Sequence, residues 1–297
     1  MNKTLILDGA MGTELVNRGL ELPLPIWSAD ANLTHPNIVK DIHSGYIQAG
    51  ANIITTNTFR STTWTYCKAG YSNIRARERA KESLLNAVDC ARSSALDSIQ
   101  IAGSITSIDD CYSPNKYPGK NVAEDSFNES MEWLTNAGLN LILFETMGNS
   151  QEIEVALTVA QNYEVDVWVS LIMKNGNQLL DGTSLLDLFL MMNNYNIDCL
   201  LNNCNQLETT LDCLDQFKNN EGIGKWGVYP NLGITDYGND YFDTVTESNF
   251  RAGINLIIKM NPDVIGICCG STPEHIRLLN SHLNKKEENE IKNKIIK

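Results

Sequence analysis

The run LNLILFET at residues 139–146 is apolar at nearly every position until it reaches a carboxylate, Glu145. A strand that is hydrophobic on both faces belongs in a parallel sheet covered by helices, because a sheet with one solvated face alternates apolar and polar residues. Seven more runs share the pattern: LILD (5–8), NIITTNTF (52–59), SIQIAGSI (98–105), DVWVSLIM (166–173), DCLLNNCN (198–205), KWGVYPN (225–231) and DVIGICCG (263–270). Segments of helical character lie between them, at 36–49, 74–94, 126–137, 150–162, 184–194, 207–219 and 249–260. Parallel strands need right-handed crossovers, and eight strands alternating with helices in 297 residues predict a single-domain α/β protein, a (β/α)8 TIM barrel. The rival is a doubly wound nucleotide-binding sheet. It lacks its fingerprint after the first strand, where Asp8-Gly9-Ala10-Met11-Gly12 does not have the G-x-G-x-x-G spacing.

No sharp linker divides the chain. Residues 112–121, with Pro114, Pro118 and Gly119, read as a long loop after the third strand, so the barrel is expected over 1–283 and a charged tail, a solvated helix or frayed end, over 284–297. Hydrophobic residues at 42% and charged residues at 20% exclude a disordered or fibrous chain. With 23 Lys and Arg against 36 Asp and Glu, the net charge of -13 opposes a nucleic-acid partner. The Leu5 to Leu7 run is too short for a secretory core, and no stretch approaches the ~18 apolar residues of a membrane helix. A cytoplasmic protein is expected. There, eight sparse cysteines are thiols, ligands or nucleophiles rather than a disulfide scaffold.

Barrel chemistry gathers at the carboxyl ends of the strands. The residues found there are Asp8, the Thr56-Asn57-Thr58 segment, Glu145, Asn203-Cys204, Tyr229-Pro230-Asn231 and Cys268-Cys269. Three thiolates around one ion leave a tetrahedral position open, the arrangement of catalytic zinc. Adjacent residues on a regular strand point to opposite faces, so Cys268 and Cys269 share an ion only if the strand ends or bulges between Gly266 and Gly270. The alternative is that the three are buried packing residues, as free cysteines often are. Cys67, Cys90, Cys111, Cys199 and Cys213 receive no role, and His35, His43, His275 and His282 fall in helix or loop positions that suit surface or packing roles. Asp8 and Glu145 read in two ways. They open into one cavity and hold an ammonium group, or Asp8-Gly9 makes a turn while Glu145 pairs with an arginine or caps a helix. The amides of Gly9, Ala10 and Met11, where the loop enters a helix, suit a substrate carboxylate.

These residues resemble the homocysteine S-methyltransferase family across nearly the whole chain. The matching blocks are DGAMGTEL (8–15), TNTFR (56–60), FETM (144–147), DGTSL (181–185), VYPNLG (228–233) and, most specifically, ICCGSTPEHI (267–276). The resemblance implies a (β/α)8 barrel with zinc on Cys204, Cys268 and Cys269. It also implies a homocysteine site in which Asp8 and Glu145 contact the amino group; Gly9, Ala10, Met11 and Asn203 are expected to bind substrate beside them. Two positions depart from the family pattern, Asn202 before Asn203-Cys204 and Ile267 before Cys268, where glycine is usual.

The implied reaction moves a methyl group from a sulfonium donor, S-methylmethionine or S-adenosylmethionine, to homocysteine, giving methionine. A neutral thioether leaves, so no protein side chain is needed to transfer a proton, and Tyr229 or Trp64 could offer an aromatic face to the cation. The compact chain suggests no folate or cobalamin module. The competing expectations are a betaine-dependent enzyme and a zinc- and thiol-binding barrel without turnover. Donor and oligomeric state are left open.

Overall fold

The computed structural model describes residues 3–220, 222–236 and 241–295. All eight expected strands form: β1 (Leu5–Ile6), β2 (Ile53–Thr55), β3 (Gln100–Thr106), β4 (Leu141–Met147), β5 (Asp166–Leu171), β6 (Cys199–Asn203), β7 (Trp226–Tyr229) and β8 (Val264–Ile265). They pair in parallel, β1 beside β8 and each other strand beside its neighbour in sequence. A parallel bridge between Leu7 and Ile53, with Asp8 N donating to Ile53 O at 3.0 Å, joins β1 to β2 and closes the barrel.

A helix follows each strand, from Pro36–Ala49 after β1 to Pro273–Ile295 after β8. Several starts are set by side chains that satisfy a free first-turn amide: Asn149 accepts from Glu152 N, Ser184 from Asp187 N and Thr246 from Asn249 N. Alternation along the strands then sorts two cores. Leu7, Ile53, Ala102, Leu141, Leu143, Trp168, Cys199, Leu201, Tyr229 and Val264 fill the barrel, while a larger layer packs strands against helices. In that layer Phe127 meets Phe144 edge to face at 5.8 Å, each ring's burial stabilising the fold by about 1.5–3 kcal/mol.

Two expectations are corrected. The helix expected at 126–137 begins earlier, at Lys120–Asn136, so the end of the expected loop at 112–121 is helical. Its first turns, Lys120 to Asp125, offer only Val122 and Ala123 as apolar residues, too few to show the period that a sequence reading relies on. The ladders are also shorter than the apolar runs, and β8 ends at Ile265, before either cysteine. Past β2, a helix at Thr63–Lys68 walls one side of the barrel mouth. The charged residues from 284, expected as a solvated helix or frayed end, are helical and continue the last helix to Ile295, and 296–297 lie outside the described residues. Among the described residues, no helix is long and apolar enough to cross a membrane.

Candidate active site

A cavity of about 350 Å³ opens at the carboxyl ends of the strands. Glu145 reaches it by simple alternation. It continues the inward column Leu141, Leu143, Glu145 of β4. Thr146 and Cys204 reach it by breaking that alternation. Both take positive φ, 58° and 52°, conformations that L side chains adopt at a cost on the order of 1–3 kcal/mol. Asn203 holds the first of them: its Oδ1 accepts from Thr146 N at 3.1 Å and Ser170 Oγ at 2.8 Å, and its Nδ2 donates to Thr146 Oγ1 at 2.8 Å. The Asn203 side chain is thereby spent. It is fully buried and is not among the residues that line the cavity.

The sulfurs of Cys204, Cys268 and Cys269 lie within 4.8 Å of one another, with 2.6 Å between Cys204 and Cys268 and 4.0 Å between Cys268 and Cys269. Two thiolates on one tetrahedral zinc stand ~3.8 Å apart, which the observed separations bracket. The adjacent pair shares the site because the strand has ended and Gly270 turns the chain at φ 82°, as the flanking glycines suggested. Asn231 ties the two sides of the group together. Its Nδ2 donates to Cys204 O at 2.9 Å and its Oδ1 accepts from Cys269 N at 3.1 Å, while Pro230 O accepts from Cys268 N at 2.7 Å. Proton sharing with Cys204, then with Cys269, and burial hold the Cys268 thiol well above its ordinary range. Three thiols this close cannot all ionise without a cation, and this donor set fits a thiophilic metal.

Asp8 and Glu145 face the same cavity. Asp8 accepts from Thr55 N at 2.9 Å and Thr55 Oγ1 at 3.1 Å, and Glu145 accepts from Ser104 Oγ and from Tyr229 OH at 3.4 Å. Burial pushes Asp8 well above the usual carboxylate range against the Thr55 hydrogen bonds, and the charge of Glu145 adds to it. Glu145 is raised to about 7, by burial first, with Ser104 opposing and Cys269 adding. Neither makes an ion pair with a protein cation among the described residues. Of the two alternatives expected for Glu145, an arginine pair and a helix cap, the described residues show neither.

Gly9, Ala10 and Met11 also line the cavity, but Ala10 N is taken by Ser271 Oγ at 2.8 Å. Gly9 has no room for a side chain, since a Cβ would press on Tyr46 and Ser271. Tyr229 and Trp64 both line the wall, while none of the four histidines does. Sequence reasoning missed Thr55, Ser104 and Ser271, whose hydroxyls carry no distinguishing pattern. It also passed over Cys111, a buried lining thiol that burial pushes up to about 12.

A closed barrel whose strand ends bring three thiols and two carboxylates without an ion-pair partner into one cavity defines a TIM-barrel protein with a candidate thiolate metal site. The chain belongs to the homocysteine S-methyltransferase family, whose model matches residues 5–283. It is similar to homocysteine S-methyltransferase 2 of Zea mays, 25% identical over 95% of this chain and 90% of that protein. Against the homocysteine S-methyltransferase of Escherichia coli K12 it is 27% identical over 93% of this chain and 94% of the relative. The crystal structure of the homocysteine methyltransferase MmuM from Escherichia coli in its metallated form superposes with a TM-score of 0.80 at 24% identity, covering 94% of this chain and 96% of that one.

Proposed function

We propose that the protein is a zinc-dependent methyltransferase that converts homocysteine to methionine with a sulfonium donor. The observation that carries this is the meeting of Cys204, Cys268 and Cys269 with Asp8 and Glu145 around one cavity. Cys204, Cys268 and Cys269 would hold the ion, which when bound keeps the substrate sulfur as a nucleophilic thiolate at neutral pH. Asp8 and Glu145 accept the homocysteine ammonium, and its carboxylate goes to the Gly9 to Met11 segment. Their raised protonation ranges support this assignment, since two buried carboxylates without a cation gain most from binding one. Asn203 serves from behind, by holding Thr146 beside the thiols.

The negative floor attracts an onium donor and sets its methyl toward the substrate sulfur. A new S–CH3 bond forms as the donor's S–CH3 bond breaks, its electron pair leaving with a neutral dialkyl sulfide, and the thiol proton passes to solvent. A sulfide leaves more readily than a tertiary amine. This favours a sulfonium donor over betaine. Free thiols at all eight cysteines accord with a reducing cytoplasm.

The test is to incubate the purified metal-bearing protein with homocysteine and, separately, S-methylmethionine, S-adenosylmethionine and betaine. Methionine from a sulfonium donor is expected. Methionine from betaine alone would overturn the donor assignment, and none from any donor would overturn the function.

A further inference from the structure

Three cations line the outer part of the cavity, and two are already paired. Lys68 Nζ lies 2.8 and 2.7 Å from the two Asp109 carboxylate oxygens, and Lys116 Nζ lies 3.0 Å from Asp110 Oδ2. Burial alone would raise Asp109, but the hydrogen bonds from Lys68 and Trp64 outweigh it and keep the carboxylate ionised below its usual range. Arg60 differs. Its guanidinium donates to the main-chain carbonyl of Asp109 and lies 5.2 Å from the centroid of the Phe59 ring. Among the described residues it forms no ion pair with a carboxylate. Glu152, close enough to feel its charge, spends Oε1 on Ile108 N at 2.7 Å. A guanidinium has five N–H donors in a planar fork, so one carbonyl leaves most of them to spare.

The cavity is therefore polarised. Its floor holds Asp8, Glu145 and three thiols, whereas the lining of the wall, Arg60, Lys68, Lys116, Asp109 and Asp110, counts one more positive charge than negative, with Glu152 outside the lining and raised by burial above its usual range. In a chain of net charge -13, this surplus stands against the overall balance. The wall is also close to the floor: Arg60 and Cys269 both act electrostatically on Cys111, which lines the cavity between them. A molecule with a cation at one end and a carboxylate at the other is oriented by such a field, since the reversed pose sets like charges together.

Building on the function proposed above, we propose that Arg60 receives a carboxylate of the methyl donor, at the end remote from the transferred methyl. The donor class is then a carboxylate-bearing onium compound. Arg60 is the residue that selects it, by a charge-assisted and potentially bidentate pair. Lys68 and Lys116 serve to hold Asp109 and Asp110, and with them the wall, in place.

The experiment is steady-state kinetics of the metal-bearing protein with homocysteine and two donors, S-methylmethionine and its decarboxylated counterpart, which keeps the sulfonium and the amine. Arg60→Met is expected to raise KM for S-methylmethionine by about 10- to 100-fold, with Arg60→Lys recovering part of the loss. KM for the decarboxylated donor and for homocysteine should stay within about twofold, because neither presents a carboxylate to Arg60. The wild type itself should prefer S-methylmethionine, a comparison that needs no variant to fold. Equal losses with both donors, no loss with either, or a rise confined to the homocysteine KM would each overturn the assignment while leaving the proposed function intact. A wild type that makes methionine from no onium donor would overturn both.

Discussion

Cys204, Cys268 and Cys269 are placed by uncharged amides, whereas Asp8 and Glu145 are held largely by hydroxyls and raised by burial, with the charge of Glu145 adding at Asp8 and that of Cys269 at Glu145. On the thiol side, Asn231 bridges Cys204 O and Cys269 N, and Asn202 donates to Asn205 Oδ1 at 2.8 Å, which also accepts from Met173 N at 2.9 Å. Nothing in that scaffold titrates near neutrality. On the carboxylate side, Thr55, Ser104 and Tyr229 supply hydrogen bonds too few to offset burial. The metal-type group is thus positioned independently of pH, while the ammonium-type site is poised to change charge near pH 7. A scaffold of neutral amides fixes geometry; buried carboxylates store a demand for a cation.

The largest effect should come from cutting the thiol side itself. Cys268→Ser is expected to bring metal per chain, measured by elemental analysis, to background and to abolish methionine formation. Circular dichroism should stay that of a folded barrel, because the residue lies beyond the end of β8. Full metal content in this variant would show that the three sulfurs do not act together.

Next in size is the carboxylate side. Glu145→Gln should raise the homocysteine KM by about 10- to 100-fold, since a charge-assisted bond to the ammonium is exchanged for a neutral one. The pH dependence separates the two sides further. With Glu145 raised from 4.5 to about 7, the free enzyme carries the ionised, ammonium-accepting form only as pH rises through 7. The kcat/KM for homocysteine should therefore climb to a plateau above that point, and Glu145→Gln should flatten the climb. Stability runs the opposite way. The folded state keeps this proton between 4.5 and about 7 while the unfolded chain gives it up, so the stability present below 4.5 declines across that window, by on the order of 3 kcal/mol at most. Thermal unfolding midpoints and kinetics that moved together with pH would break the assignment.

The strands were legible because each is buried on both faces, a pattern that few other elements produce. Their ends were not: in DVIGICCG the apolar character runs on through Ile267, yet the ladder stops at Ile265, since the same residues are equally suited to a buried loop. The thiol trio and both carboxylates were legible from their residue types at strand ends. Asn203 shows what such a reading lacks. It precedes Cys204 just as a lining residue would, but the positive φ at Cys204 turns the following side chain to the cavity and leaves Asn203 behind it. The charged wall was invisible for another reason, since Lys68 and Asp109 meet across 41 positions that no local pattern connects.

Asn231→Ala tests the scaffold without touching a sulfur. The change orphans Cys204 O and Cys269 N in a buried setting and removes the tie between the two sides of the group. Groups that orient metal ligands typically contribute 10–100-fold to affinity; here the contacts are to backbone rather than to sulfur, so a loss of about tenfold is expected in a competition titration with a chelator. Asn231→Asp, which keeps the acceptor for Cys269 N and loses the donor to Cys204 O, should fall between. If both variants hold metal as the wild type does, the amide scaffold is dispensable and the contrast with the carboxylate side loses its basis.

The smallest effect belongs to Cys111, the lining thiol outside the trio. Burial pushes its thiol up to about 12, with the charges of Asp110 and Cys269 adding and Arg60 opposing, so near pH 7 it is a protonated, poor ligand. Cys111→Ala should leave metal content unchanged and cost roughly 1 kcal/mol of stability for the lost sulfur, seen as a modest shift in the denaturant midpoint. A fall in metal content would make the centre a four-thiol one. Such a centre has no position left for a substrate sulfur, and the division between a metal side and a carboxylate side would have to be redrawn around a structural rather than a catalytic ion.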